Sequence, residues 1–309
     1  MPPSVEVIIN AGSGSVEHEE TRRRLAELFE ENGVEANVLM AENGDDITGL
    51  AQRAAAGNAE IIVAGGGDGT ISAVAVEAIK SKKTLGILPL GTLNNFSKDL
   101  RIPQDLEEAV RVIAEKNTKQ IDVGEVNGRI FVNNSSIGLY PSLVRRRERQ
   151  QRLGYGKWRA AFWAAFKILR RSPFLNVKLN IGGEEILRRT PFVFVGNNEY
   201  EMDFFNIGRR AKLDDGKLSV YLLHRSGRSG LFLLALRMAF GRLRQAEDFE
   251  EINTEEITIE TRRKRMPVAF DGEVAVLQMP LNYIIHAQAL RVIAPKENAE
   301  ESPAGGKDG

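Results

Sequence analysis

The chain contains no cysteine, which excludes disulfides, thiolate-held metals and a cysteine nucleophile. Histidine is scarce: His18, His224 and His286 are scattered and make no metal-ligand spacing. No apolar run approaches the roughly 18 residues of a membrane span, and the opening MPPSVEVIIN has neither a basic nor an apolar signal region. A Gly-x-Ser-x-Gly elbow is missing, so that class of hydrolase has no support. Net charge is also absent, because 42 Lys and Arg offset 42 Asp and Glu; with no nucleic-acid motif present, a nucleic-acid partner is not expected.

What is present suits a soluble globular protein of 309 residues, 42% hydrophobic and 27% charged, long enough for two domains. The charges are unevenly placed. Ten Lys or Arg face the single Glu148 between Arg145 and Arg171, whereas QAEDFEEINTEE (245–256) is strongly acidic.

The first third alternates. Strands are expected at 5–10, 35–40, 60–64 and 84–90, with a charged amphipathic helix at 16–32 and helices at 45–56 and 70–81. Such alternation implies a parallel sheet covered on both faces, with ligands bound beyond the strand C-termini. From about Lys119 the pattern becomes a series of short β-rich runs with Asn, Gly and Asp turns: KQIDVGEVN, RIFVNNSSI, LNVKLNI, PFVFVGNN, KLSVYLLH, EEITIET, MPVAFD and EVAVLQM. These suggest an antiparallel sandwich or barrel. Helix-like stretches at 145–171 and 228–246 interrupt the series, IIHAQALRVIA after Pro280 could add a strand to either domain, and the C-terminal tail looks disordered. The expected domains are a nucleotide-binding unit at 1–128, to which about 284–296 could return, a β-rich unit at 129–283, and the tail 297–309.

The most informative stretch is IIVAGGGDGTISAVAVEAI (61–79). A glycine-rich turn between a strand and a helix lets backbone N–H groups approach a ligand, and the helix N-terminus favours an anion such as phosphate. A tight βα turn alone would also produce it. The dinucleotide fingerprint does not fit, since Thr70 stands where it wants Gly, and no Gly-Lys-Ser/Thr follows for a P-loop. Gly91-Thr92 after the fourth strand repeats the anion-loop logic. Asp215-Gly216 and Asp271-Gly272 are hairpin signals in their own right.

GGGDGT (65–70) resembles the signature of the diacylglycerol kinase catalytic domain, shared by bacterial lipid kinases, sphingosine kinases and ceramide kinases, with distant kin in NAD kinases and phosphofructokinases. Five further segments extend the resemblance in order: NAGSG (10–14), LPLGTLNNFSKDLRIP (88–103), IDVG (121–124), LDDGKL (213–218) and FDGE (270–273). The resemblance implies an α/β N-terminal domain with a parallel sheet, NAD kinase/phosphofructokinase-like, plus a C-terminal antiparallel β-sandwich domain.

Carried across residue by residue, the resemblance implies that Asn10, Gly66, Gly67, Asp68, Gly69, Thr70 and Thr92 contact the nucleotide and that Glu273 is the general base, with Asp68 as second candidate. Mg²⁺ would be held by the Asp215 carboxylate and the backbone carbonyls of Lys212 and Lys217, hard oxygens of the kind it accepts. Asp68 and Asp122 match an acidic network near the phosphates, able to hold a second, water-bridged Mg²⁺. Ala11 replaces the usual Pro and Ala41 a nucleotide-contacting Thr. Asn95 stands where Asp is frequent and removes one charge from the proposed second metal site.

The activity so implied is an ATP-dependent lipid kinase of phospholipid metabolism, using ATP and Mg²⁺ with a diacylglycerol-like acceptor. Alternatives are a kinase of sphingosine, ceramide, phosphatidylglycerol or another alcohol, or a catalytically silent nucleotide-binding regulator. Basic and aromatic residues mix in 145–171, with Tyr155, Trp158, Phe162, Trp163 and Phe166, and arginines flank Leu and Phe in 226–245. Either stretch suits an anionic bilayer or an amphipathic helix packed on the sandwich. A cytoplasmic protein held peripherally at the inner membrane face is expected, and a homodimer stays open.

Overall fold

Apolar β-branched strands with helices between them build the first half. The computed structural model describes residues 4–10, 15–138, 174–200, 210, 212–223 and 249–296. Strands β1 (Val5–Asn10), β2 (Ala36–Ala41), β3 (Ile61–Gly66) and β4 (Thr84–Pro89) run parallel in the order β2-β1-β3-β4. Helices α1 (Ser15–Glu31), α2 (Gly44–Ala56) and α3 (Asp68–Ser81) connect them. β3 and β4 are buried along their whole length, which is why IIVAGG and TLGILP are continuously apolar instead of alternating. Two further helices follow, α4 (Asn95–Asp99) and α5 (Leu106–Glu115). Asp105 caps the second by accepting the Glu108 N–H at 3.0 Å.

Because β1 lies between β2 and β3, the chain leaves β1 towards one side and later returns on the other. The C-terminal ends of β1 and β3 are therefore the switch point at which open α/β sheets bind ligands. Asn10 ends β1 and Gly66 ends β3, so topology alone puts the glycine loop at that crevice.

The second half is antiparallel: β5 (Thr118–Val126), β6 (Arg129–Phe131), β7 (Asn134–Gly138), β8 (Leu175–Ile181), β9 (Glu184–Thr190), β10 (Phe192–Asn197), β11 (Leu218–Leu223), β12 (Phe249–Thr254), β13 (Glu256–Thr261), β14 (Arg265–Phe270), β15 (Glu273–Gln278) and β16 (Leu281–Ile293). One sheet has the order β12-β11-β10-β7-β14-β15. The other continues the parallel sheet. The 13-residue β16 pairs with β13 through Leu281–Ile284, with β5 along most of its length, and with β4 at Val292↔Leu85. β8 and β9 extend this sheet beyond β13. Val177, Leu179, Ile257 and Ile259 of this sheet pack against Val193, Val195, Val220 and Val268 of the six-stranded one, closing a sandwich. One strand thus belongs both to the sandwich and to the α/β sheet.

Three departures from the sequence pattern have physical causes. RIFVNNSSI is two strands, because the N–H groups of Val132, Asn133 and Asn134 turn towards the Asp271 carboxylate. The acidic run contains strand β12, an edge on which exposed charge is tolerated and protective. EEILRRT forms β9, an edge strand exposed over most of its length and so lacking apolar alternation. Arg188 of β9 forks onto Glu250 of β12 with two bonds of 2.7 Å, joining the edges of the two sheets. The helix-like stretches 145–171 and 228–246 and the tail 297–309 lie outside the described residues.

Candidate active site

The two glycine loops meet backbone to backbone. A Cβ on Gly91 would stand 2.4 Å from the Gly67 Cα, and one on Gly66 would stand 2.7 Å from Thr70 Oγ1. No side chain caps α3 at Gly67, so its first turn offers N–H groups and the positive end of the helix dipole to the crevice. Asn10 donates through Nδ2 to Thr70 Oγ1 at 3.2 Å, tying the end of β1 to α3. Thr92 is exposed on the second loop, which Asn94 pins by donating to Pro89 O at 3.0 Å. Gly69 is exposed beside Asp68 in the first turn. Gly91→Ala should therefore part the loops: because the obstacle is backbone, we expect roughly a tenfold rise in the KM for nucleotide, a loss of about 1.4 kcal/mol, together with a lower Tm. Steady-state kinetics and a thermal melt check it.

Asp68 uses both carboxylate oxygens on α4, accepting the Asn95 N–H at 3.2 Å and the Phe96 N–H at 3.1 Å. It serves as a cap delivered from another helix, since Asn94 itself sits at φ 51° and makes no side-chain cap. Asn95 meets Asp68 through its backbone, a contact available to any residue except Pro.

Asp122 is fully buried on β5, where its carboxylate accepts the Gly216 N–H at 2.7 Å and the Gln288 N–H at 2.8 Å. Its own N–H donates to Leu213 O at 2.8 Å. Gln288 lies at φ 51° where the β16 register breaks between His286 and Leu290, so the irregularity in the strand delivers that N–H. Asp122 holds the 212–217 loop by its backbone. On that loop Asp215 Oδ1 lies 3.3 Å from Lys212 Nζ, and Lys217 O accepts the Asn198 N–H at 2.9 Å. Among the described residues no three carboxylates or imidazoles gather as a metal cluster. The donors available there are one carboxylate and backbone carbonyls, a set that fits Mg²⁺, which keeps several of its waters. Asp122→Ala would leave the part-buried N–H groups of Gly216 and Gln288 without their acceptor, at a cost of about 1 kcal/mol each. The expected result is a lower Tm and a several-fold higher Mg²⁺ requirement for half-maximal turnover, read by titrating Mg²⁺ at saturating nucleotide.

Glu273 opens β15 and is exposed. It is presented by a two-residue turn in which Asp271 and Gly272 have φ of 47° and 88°, the left-handed pair that Asp-Gly sequences supply. Phe270 pairs with Glu273 across the turn. The Asp271 carboxylate folds inward and accepts from Ser72 Oγ and from the N–H groups of Val132 at 2.7 Å, Asn133 at 2.8 Å and Asn134 at 3.1 Å. Burial pushes this carboxyl above the usual range, and the four donors oppose that rise. Ser72 lies one turn beyond Asp68 on α3, so the turn carrying Glu273 is fastened to the helix that carries Asp68.

A further group escaped the motif reading. Arg210, with a fully buried side chain, donates to Asp99 Oδ2 at 2.7 Å, to Val132 O at 2.7 Å, to Asn197 O at 3.2 Å and to Asn133 Oδ1 at 2.9 Å. Its guanidinium also lies 5.7 Å from the Phe96 ring centre and 5.4 Å from that of Tyr200. Asp99 is on α4 of the α/β layer and Asn133 on the β6–β7 connection, so this cluster joins the two halves behind the crevice.

Comparison with known proteins covers both halves. Residues 4–126 match the family "Diacylglycerol kinase catalytic domain", and residues 135–294 match the family "YegS C-terminal NAD kinase beta sandwich-like domain". A protein named diacylglycerol kinase from Staphylococcus aureus is 26% identical over 97% of this chain and 95% of its own length. Another of that name from Staphylococcus haemolyticus is 24% identical over 96% and 90%. A crystal structure titled as a diacylglycerol kinase from Bacillus anthracis superposes with a TM-score of 0.66 at 23% identity, covering 96% of this chain and 98% of the other; at that identity the likeness shows the fold.

Proposed function

Because the chain belongs to the diacylglycerol kinase catalytic-domain family, in the form that carries the YegS-type C-terminal sandwich, we propose that this lipid kinase transfers the γ-phosphate of ATP to the hydroxyl of a diacylglycerol-like lipid. The supporting observation is the fastening of the Asp271-Gly272-Glu273 turn to α3 through Ser72, which ties the exposed Glu273 to the helix that follows the first glycine loop.

In this reading the N–H groups of the α3 first turn and the Gly66–Gly67 and Gly91–Thr92 loops hold the phosphates. Glu273 accepts the proton of the acceptor hydroxyl as in-line transfer proceeds. The Asp215 carboxylate with the Lys212 and Lys217 carbonyls would hold Mg²⁺, which would supply positive charge against the phosphates. Asp68 is the weaker base candidate, since both its oxygens already accept α4 N–H groups. No helix among the described residues is long and apolar enough to cross a membrane. The acceptor would be taken from a bilayer to which the protein binds peripherally at its cytoplasmic face, and co-sedimentation with anionic vesicles at low salt should show that binding.

The deciding experiment offers labelled ATP and Mg²⁺ with diacylglycerol, phosphatidylglycerol, sphingosine, ceramide and polyprenols in turn. Diacylglycerol should give the highest kcat/KM. A different winner would reassign the substrate, and ATP binding without transfer to any lipid would make the protein a silent regulator.

A further inference from the structure

We propose that Asp271 is a positioning residue that couples the nucleotide-binding helix α3 to Glu273, so that the base is placed correctly only while the Ser72–Asp271 bond is intact. The inference rests on Glu273 being the base, as proposed above.

A two-residue hairpin does not need what is seen here. Asp-Gly is favoured in such turns because Asp tolerates positive φ, and at a simple turn its carboxylate can stay in water. Here the carboxylate is drawn inward and satisfied by four donors from outside its own hairpin, one on α3, two on the β6–β7 connection and one on the first residue of β7. Three of those donors interrupt what would otherwise be a continuous strand. Desolvating an anion and breaking a strand both cost free energy, and neither helps to close the hairpin. The arrangement has its effect at the residue two positions on, Glu273, whose side chain is exposed and, among the described residues, has no comparable tether of its own.

The same carboxylate closes a ring of contacts around the crevice. Asp68 caps α4, Asp99 at the end of α4 binds Arg210, and Arg210 binds Asn133 Oδ1. The Asn133 N–H donates to Asp271, Asp271 accepts from Ser72, and Ser72 returns along α3 to Asp68. Phosphates bound at the first turn of α3 therefore press on an element one helical turn from the Glu273 support. A misplacement near 1 Å at a reacting group can cost on the order of 100-fold in rate, so a single bond in this ring is enough to matter.

Ser72→Ala is the cleanest test, because it removes the α3 contact and leaves the three backbone donors on Asp271. It should lower kcat at least about tenfold with the KM for ATP within about twofold and a small shift in Tm; Ser72→Thr, which keeps the hydroxyl, should restore kcat. Asp271→Asn, which turns an amide towards N–H donors, should do the same or more if it folds. In the Ser72→Ala/Glu273→Gln double variant, kcat should match that of Glu273→Gln alone, since a displaced base that is already disabled has nothing further to lose. Wild-type kcat in Ser72→Ala, no restoration in Ser72→Thr, or losses that simply multiply in the double variant would each overturn the coupling. If Glu273→Gln by itself keeps full turnover, the base assignment fails and the coupling with it, an outcome separable from the others because it is read in a protein whose Ser72 is intact.

Discussion

Replacing Arg210 with Met is expected to destabilise the fold by about 3–5 kcal/mol and to lower Tm by on the order of 10 °C, as read by calorimetry. The side chain is fully buried and Asp99 is 5% exposed, so removing the guanidinium leaves a carboxylate without its partner in a place that water does not reach. It also strands Asn133 Oδ1 and leaves the Val132 and Asn197 carbonyls one donor fewer. Burial already pushes the Asp99 carboxyl above the usual range, with Arg210 opposing. Loss of the arginine should push it further. The sign of the pH dependence follows: a carboxyl whose pKa is raised by folding keeps its contribution below the unfolded value near 3.9 and loses it as pH rises through the folded value. The deficit of Arg210→Met relative to wild type should therefore be smaller in acid than at neutral pH. Asp99→Leu/Arg210→Met, which removes both charges, should recover much of the stability, because a buried pair replaced by apolar groups is often tolerated. A single variant that melts within 1 °C of wild type would show that the pair is not what joins the layers.

Much of the chain could be read before folding was considered. The strands at 5–10, 61–66 and 84–89 are short, apolar and bounded by helices of clear period, so local pattern and tertiary burial agree. Asp271-Gly272 was legible as a hairpin because φ is a local property. The use of its carboxylate was not, since Ser72 stands 199 residues away in sequence. Arg210 carries no motif and meets an aspartate 111 residues distant, so only the fold reveals it. Asp122 matched the acidic network by position in the motif series; the N–H groups it accepts come from a loop and from a strand irregularity that no pattern announces. β9 and β12 stayed hidden because edge strands exchange apolar alternation for charge. Local rules thus located the βα glycine loops and the Asp271-Gly272 hairpin, while Asp215-Gly216 lies in the loop before β11 and closes no hairpin among the described residues; the long-range hydrogen bonds that orient these segments required the structure.

Glu273→Gln is expected to lower kcat by roughly 10²–10⁴-fold, the range for loss of a general base, while the KM for ATP and the Tm stay near wild type. Three features combine to predict so selective an effect. Glu273 is exposed at the start of β15, so the isosteric amide removes no packing. The hairpin is closed by Asp271 and Gly272 and by the Phe270↔Glu273 backbone pair, none of which needs the Glu273 carboxylate. The two glycine loops belong to β3–α3 and β4–α4 and are held by contacts to Asn10, Asp68 and Asn94. Asp68→Asn should give the opposite profile. An amide can accept from only one of the Asn95 and Phe96 N–H groups, so α4 loses part of its cap, worth about 1 kcal/mol, and with it the placement of Asp99 and of the Gly91–Thr92 loop. Stability and nucleotide KM should then suffer along with kcat. Measuring kcat, KM and Tm for both variants under identical conditions separates the two carboxylates. A large, isolated kcat loss in Asp68→Asn with near wild-type kcat in Glu273→Gln would exchange their roles.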